Sequence, residues 1–338
     1  MEGKEIKDKM KGKEMRENMK SIETEDKMEN KEMGDTMNNR EADDKMEGKE
    51  MRDDERKKKE SDCSSCDSKS CDKSDCKNCT HKKKIMKIPA NPMNHIKHVL
   101  GIVSGKGGVG KSSVTSMLAV ELQRKGYRVG ILDADVTGPS IPQIFGMHTV
   151  AKSGKAKGIE PVETPSGIKM MSVNVLLEEE DTPVVWRGPV ITGVVKQFWT
   201  DVLWRELDYL LIDMPPGTGD VPLTVFQSLP VDGIVMVTSP QTLVSMIVKK
   251  ACKMAEKLNV PILGLIENYS YIVCSDCGKK MPVFGISRIE KFAEECNLPV
   301  LGKLPIDSAL AEAGDEGTIE AYGNAEMAQI ADRIVEML

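Results

Sequence analysis

Residues 105–112 read Gly-Lys-Gly-Gly-Val-Gly-Lys-Ser, between an apolar run at 98–103 and a helical pattern from Lys111 to about Lys125. This placement constrains the chain more than any other feature, because G-x-x-x-x-G-K-[ST] needs a strand before it and a helix after it. Gly105, Gly107, Gly108 and Gly110 let the backbone curl until successive N–H groups, with Val109 and Ser113 in the same cradle, face an anion. The helix N-terminus adds partial positive charge. Lys111 is expected to neutralise the β- and γ-phosphates, and Ser112 to coordinate Mg2+. A tight glycine turn without a ligand is the plainer alternative, and the complete motif in this context outweighs it.

Further apolar runs at 128–132, 168–173, 209–212, 233–237 and 262–266 show no polar alternation. Val244, Ile247, Ala251, Met254 and Leu258 mark one face of a helix between the last two runs. Strands apolar on both faces, alternating with helices, predict an α/β fold: a mostly parallel sheet with helices on both faces. In such sheets ligands sit at the carboxyl ends of strands. Asp133 and Asp135 follow the second run, and Asp213 follows the run 209–212. Asp213 is expected in the Mg2+ shell, and Gly217 in the glycine-rich turn after it offers an N–H for the γ-phosphate.

Composition divides the chain at 1–62, 63–92 and 93–338. The first 60 residues carry 17 Lys/Arg and 20 Asp/Glu, and no aromatic residue precedes Tyr127. Such a segment buries too little apolar surface to offset its chain entropy, which predicts a disordered extension. Within it, Met10–Met15, Met28–Met33 and Met46–Met51 repeat at a step of 18 residues without forming one apolar stripe. Solvated low-complexity sequence is the simple reading of the repeat, and a Met-rich soft-metal site the sharper one. The formal charge of −6 splits as −3 for 1–60, +3 for 61–92 and −6 for 93–338. An acidic folded part disfavours a sequence-independent grip on nucleic acid. No apolar run approaches the roughly 20 residues of a membrane span, and the charged N-terminus does not read as a secretion signal. The expected setting is cytoplasmic, where nine cysteines point to metal or redox chemistry rather than a disulfide scaffold.

Cys274-Ser-Asp-Cys277-Gly278 has the spacing of one edge of a zinc or iron–sulfur centre, with the glycine relieving the knuckle turn. Such centres usually take about four protein ligands. Cys252 and Cys296 sit in helical patterns that read as buried, and a dimer contributing Cys274 and Cys277 from each chain would complete the set. A redox dithiol or two unliganded thiols are the alternatives. In the front cluster, Cys63-x-x-Cys66 and Cys76-x-x-Cys79 form a second candidate metal set, with Cys71 left over; a flexible thiol-rich tail is the alternative.

Lys106 is not required by an ordinary phosphate loop. With it, the loop resembles the deviant Walker A group of partition ATPases, septum-site ATPases and the nitrogenase iron protein. That resemblance implies a nucleotide-sandwich dimer in which Lys106 reaches the partner's nucleotide. Five pieces of residues 93–338 resemble the Mrp-type iron–sulfur cluster carriers. They are the loop at 105–112, Asp133-Ala-Asp135-Val-Thr-Gly-Pro-Ser140, Trp186-Arg-Gly-Pro189, the run from Leu207 to Asp220, and Glu267-Asn268-Tyr-Ser-Tyr-Ile-Val-Cys274-x-x-Cys277. This resemblance implies a homodimer holding a 4Fe–4S cluster between paired Cys274 and Cys277, slow ATP hydrolysis, and delivery of the cluster to apo iron–sulfur proteins. By the same match Asp135 positions the attacking water and Asn268 contacts the adenine. The front cysteines depart from the ferredoxin-like pattern of the eukaryotic-type members, since Ile85 stands where the fourth ligand belongs.

Two other functions share the phosphate loop. A positioning ATPase of the partition or septum type needs a basic surface or basic amphipathic tail, whereas residues 326–338 set Glu326, Asp332 and Glu336 against Arg333. An electron-transfer ATPase like the nitrogenase iron protein draws its thiols from two separate loops, unlike this single C-x-x-C.

Overall fold

The computed structural model describes residues 87–136, 138, 140–149, 151–153, 158–176, 188–217, 219–240 and 252–338. The expectations for the front extension, the cysteines at 63–79, Trp186 and the first half of the helix at 244–258 lie outside these residues. So does the boundary at 62.

Strand β1, His95–Ser104, leads through the glycine turn into α1, Lys111–Arg124, and then β2, Val129–Asp133. After the short helix α2, Ile141–Ile144, come four short strands. They are β3 (Lys152–Ser153), β4 (Ile159–Glu160), β5 (Val162–Glu163) and β6 (Lys169–Met171). Helix α3, Gly188–Thr200, precedes β7, Glu206–Asp213; α4, Asp220–Ser228, precedes β8, Gly233–Thr238. Residues 252–258 are helical. Then follow β9 (Ile262–Val273), β10 (Lys280–Met281), α5 (Ile289–Cys296), β11 (Val300–Pro305), α6 (Ser308–Asp315) and α7 (Ala325–Met337).

Seven strands run parallel in the order β11-β9-β8-β1-β7-β2-β6, with antiparallel β5 beyond β6 and β10 on the far end of β9. The expected parallel α/β sheet is therefore present. The parallel core strands β2, β7 and β8 are buried almost throughout, as strands covered on both faces must be. Trp204, Phe198, Phe226, Leu100 and Leu118 are among the largest fully buried side chains. Helix α7 packs on α1 and β11 through Met327, Ile330, Ala331 and Ile334. The C-terminal stretch is thus a helix laid on the body of the domain, as its acidic face suggests.

Several strands extend past their apolar runs. The largest difference is β9, which continues to Val273 rather than ending near Ile266. Its second half pairs with β11 and β10, so polar residues such as Asn268 and Ser270 are held in a strand by partners that hydropathy does not report. Cys252 and Cys296, read from their pattern as buried, are half-buried.

At the opposite end of the sheet from the glycine turn, Asp208 accepts hydrogen bonds from Arg128 Nε (3.1 Å) and backbone N–H (2.9 Å), and pairs with Lys97 at 2.7 Å. Arg128 first, then Lys97, holds its carboxyl well below the usual carboxylate range. A depressed folded pKa gives stability that is present above the unfolded value, about 3.9, and is lost as pH falls through the folded value. Both cations are half exposed or more, so the effect is about 1 kcal/mol. Asp208→Asn is expected to lower the unfolding midpoint at pH 7, and chemical denaturation should find the difference shrinking below about pH 4.

Candidate functional site

The topology places the site. The chain leaves β1 through α1 and returns as β2, and β7 is later inserted between them. Asp213 at the end of β7 therefore stands beside Ile102 on one side and Asp133 on the other. The glycine turn rises directly above. Gly108 and Gly110 adopt φ of 75° and 74°, a left-handed conformation that favours glycine. Gly110 also has no room for a side chain, since a Cβ there would lie 2.3 Å from Asn268 Nδ2 and 2.7 Å from the Tyr269 hydroxyl. Gly107 and Gly108 are exposed while Gly105 and Val109 are buried, so the loop opens to solvent at its crest.

Lys111 begins α1 and is 6% exposed. Its Nζ lies 2.6 Å from Asp213 Oδ2 and 3.9 Å from Asp135 Oδ2. Ser112 Oγ donates to the same Asp213 Oδ2 at 2.6 Å. Thr115, which no sequence motif marks, donates to Asp213 Oδ1 at 2.6 Å. Asp133 is fully buried, accepting from the Asp135 backbone N–H (3.1 Å) and from Ser172 Oγ (3.0 Å). Burial first, and the charge of Asp213 second, push its carboxyl well above the usual carboxylate range. The site thus sets carboxylates of graded exposure around one buried lysine. An ammonium, a hydroxyl and a carboxylate sharing one oxygen at the foot of an open glycine cradle fit a triphosphate with Mg2+, a hard cation that favours oxygen ligands.

Two of the expected site residues also hold contacts within the protein. Gly217 N–H donates to Ser104 O at 2.8 Å, so it is engaged by the end of β1 instead of facing the loop. Asn268 lies fully buried beneath the loop, where its Nδ2 donates to Val109 O at 3.0 Å. Its Oδ1 has no hydrogen-bond partner among the described residues, leaving one acceptor for another group. Lys106 is half-buried, with its carbonyl accepting from Ser104 Oγ at 3.1 Å. Ser113 occupies the first turn of α1, half-buried.

Cys274 and Cys277 lie at the other end of the long β9, in a turn that leads into β10. Cys274 N–H donates to Lys279 O (3.0 Å), Gly278 N–H donates to Cys274 O (2.9 Å), and Gly278 takes φ 67°. This closes the expected knuckle. Backbone N–H groups of Cys277 and then Asp276 pull the Cys274 thiol below its ordinary value, favouring the thiolate that binds metal. Cys277 is exposed. Flanking the pair along the chain are exposed Val273, Met281, Val283, Phe284 and Ile286, the last 85% exposed. Lys280 Nζ bonds Tyr271 Oη at 2.9 Å, and Tyr271 bonds Glu326 Oε1 at 3.0 Å, tying the knuckle to the first turn of α7. Behind it the buried Glu267 accepts from Ser270 Oγ (2.6 Å) and Ser287 Oγ (3.0 Å). Thr115 was missed by sequence reasoning, and Glu267, Tyr269, Ser270 and Tyr271, though inside the stretch 267–277, were given no role, because no spacing rule reports the contacts they make.

Residues 95–338 match the ParA-type NUBPL iron-transfer P-loop NTPases. An iron–sulfur cluster carrier protein of Clostridium perfringens is 53% identical over 68% of this chain and 82% of its own length. One from Methanocaldococcus jannaschii is 46% identical over 81% of this chain and 97% of its own. Among solved structures, a nucleotide-binding protein from Archaeoglobus fulgidus in complex with ADP shares 42% identity with a TM-score of 0.62, covering 68% of this chain and 90% of its own. The cell-division ATPase MinD of Pyrococcus furiosus, 19% identical with a TM-score of 0.50 over 71% of this chain and 99% of its own, shares the fold. With its phosphate cradle on β1 and its thiol knuckle on β9, the chain belongs to the NUBPL iron-transfer family of P-loop NTPases, whose curated relatives are iron–sulfur cluster carrier proteins.

Proposed function

We propose that this protein is an ATP-dependent carrier that binds a 4Fe–4S cluster between the Cys274 and Cys277 pairs of two copies and passes it to apo iron–sulfur proteins. The observation that carries the proposal is the presence, on one strand, of residues from both sites. Asn268 sits under the phosphate loop, and Cys274 opens the knuckle six positions on. One knuckle supplies two thiols, half of what a cubane needs, and among the described residues no third His, Cys, Asp or Glu converges on it. The exposed apolar side chains that flank the knuckle in the chain, from Val273 to Ile286, suit coverage by a second copy. In this reading Lys111 and Ser112 hold the β- and γ-phosphates and Mg2+, Asp135 orients the attacking water, and Lys106 reaches the partner's nucleotide. The unpaired Asn268 Oδ1 accepts from the adenine amine. Dimer geometry then depends on whether the γ-phosphate is present.

The test is anaerobic transfer from reconstituted full-length protein carrying labelled iron to an apo-ferredoxin, with and without ATP and Mg2+. Label is expected to move to the acceptor, faster with ATP. Label that stays while the cluster cycles its redox state would favour an electron-transfer ATPase. ATP-dependent sedimentation with DNA or liposomes, without transfer, would favour a positioning ATPase.

A further inference from the structure

Thr115 lies one helical turn beyond Lys111 and is fully buried. Its Oγ1 lies 2.6 Å from Asp213 Oδ1 and 3.0 Å from the carbonyl of Lys111. A hydroxyl has one proton, and both neighbours are acceptors. The shorter contact, to the charged acceptor, takes it. The two oxygens of Asp213 therefore keep different company. Oδ2 meets Lys111 Nζ and Ser112 Oγ, the two groups that phosphate and metal also claim. Oδ1 meets Thr115, which is sealed from solvent and whose other acceptor is the carbonyl of Lys111 at 3.0 Å.

We propose that Thr115 is a positioning residue for the divalent cation of the bound nucleotide, fixing the Asp213 carboxylate through Oδ1 so that Oδ2 remains aimed at the metal shell. This rests on the nucleotide-binding part of the proposed function. The physical need is clear from the side chain itself. The terminal torsion of an aspartate is broad, so nothing in Asp213 alone fixes the plane of its carboxylate or the direction of its outward oxygen. Lys111 and Ser112 fix it only until they turn to the ligand. Thr115 holds it throughout, which preserves the orientation when it is needed. Outer partners of this kind commonly change metal affinity by about 10–100-fold.

The experiment measures ADP binding to the full-length chain by titration calorimetry, first in EDTA and then at increasing Mg2+. Thr115→Val keeps the shape of the side chain and removes the proton; Thr115→Ala leaves room for a water and serves if the valine variant folds poorly. Both are expected to raise the Mg2+ concentration for half-maximal enhancement of ADP binding by about 10-fold or more, with affinity in EDTA within about twofold of wild type. Thr115→Ser is expected to restore the wild-type Mg2+ curve. Equal weakening with and without Mg2+, an unchanged Mg2+ midpoint, or failure of serine to restore it overturns the assignment. Wild-type protein that binds no ADP at all would instead remove the nucleotide reading, and the role of Thr115 with it.

Discussion

Cys274→Ala/Cys277→Ala is expected to reduce iron and sulfide in anaerobically reconstituted protein to about a tenth or less of the parent value, the loss expected when metal ligands themselves are removed. The comparison belongs in full-length protein whose front cysteines, Cys63, Cys66, Cys71, Cys76 and Cys79, are already alanine, so that the two thiol sites are read apart. The geometry explains why the loss should be nearly complete. The knuckle offers only these thiols among the described residues. The Cys274 thiol is already biased toward its metal-binding form by backbone N–H groups. ADP affinity should stay within about twofold, because the knuckle leaves β9 beyond the residues that touch the phosphate loop. Iron retained at the parent level would remove the knuckle from the account. Iron lost together with ADP affinity would show that the substitution damages the fold.

Lys111→Met is expected to have two large effects with one cause. Lys111 and Asp213 form an ion pair whose side chains are 6% and 1% exposed. Removing the cation strands a buried carboxylate beside Asp133, a cost of about 3–5 kcal/mol. At about 2–4 °C per kcal/mol for a domain of this size, the melting midpoint should fall by roughly 10 °C. ADP affinity should fall by about 100-fold or more, since the variant offers the phosphates no ammonium and leaves them facing an uncompensated carboxylate. The double variant Lys111→Met/Asp213→Asn separates the effects. It removes the stranded charge and should recover most of the melting temperature, while ADP binding stays weak. Calorimetric melting and ADP titration of the four proteins in the cycle test this; a double variant no more stable than Lys111→Met would mean the ion pair is not the source of the loss.

The phosphate site was legible because each of its parts is local. A glycine turn, a lysine and a hydroxyl follow one another along the chain, and a buried strand and helix flank them as the chemistry requires. Asp213 was legible for the same reason, as the acid at the end of an apolar run. The knuckle was legible as C-x-x-C-G, a spacing set by the turn itself. Thr115 was not, because its partner is 98 positions away and its hydroxyl sits on a helix face that hydropathy reads only as buried. The second role of Asn268 was not legible either: its Nδ2 supports the loop from beneath, across 159 positions of chain, while its Oδ1 stays unpaired among the described residues. The length of β9 was underestimated because pairing with β10 and β11, rather than apolar alternation, holds its polar half.

By itself the sequence determined the α/β class, the phosphate-binding turn and the pair of thiols, since all three follow from residue type and short spacing. Only the tertiary structure decided that β7 lies between β1 and β2, that Asp213 is gripped from both oxygens, and that one strand joins the two sites. Those facts depend on which distant segments pair, and pairing is settled by the burial of the whole sheet rather than by any one stretch of chain.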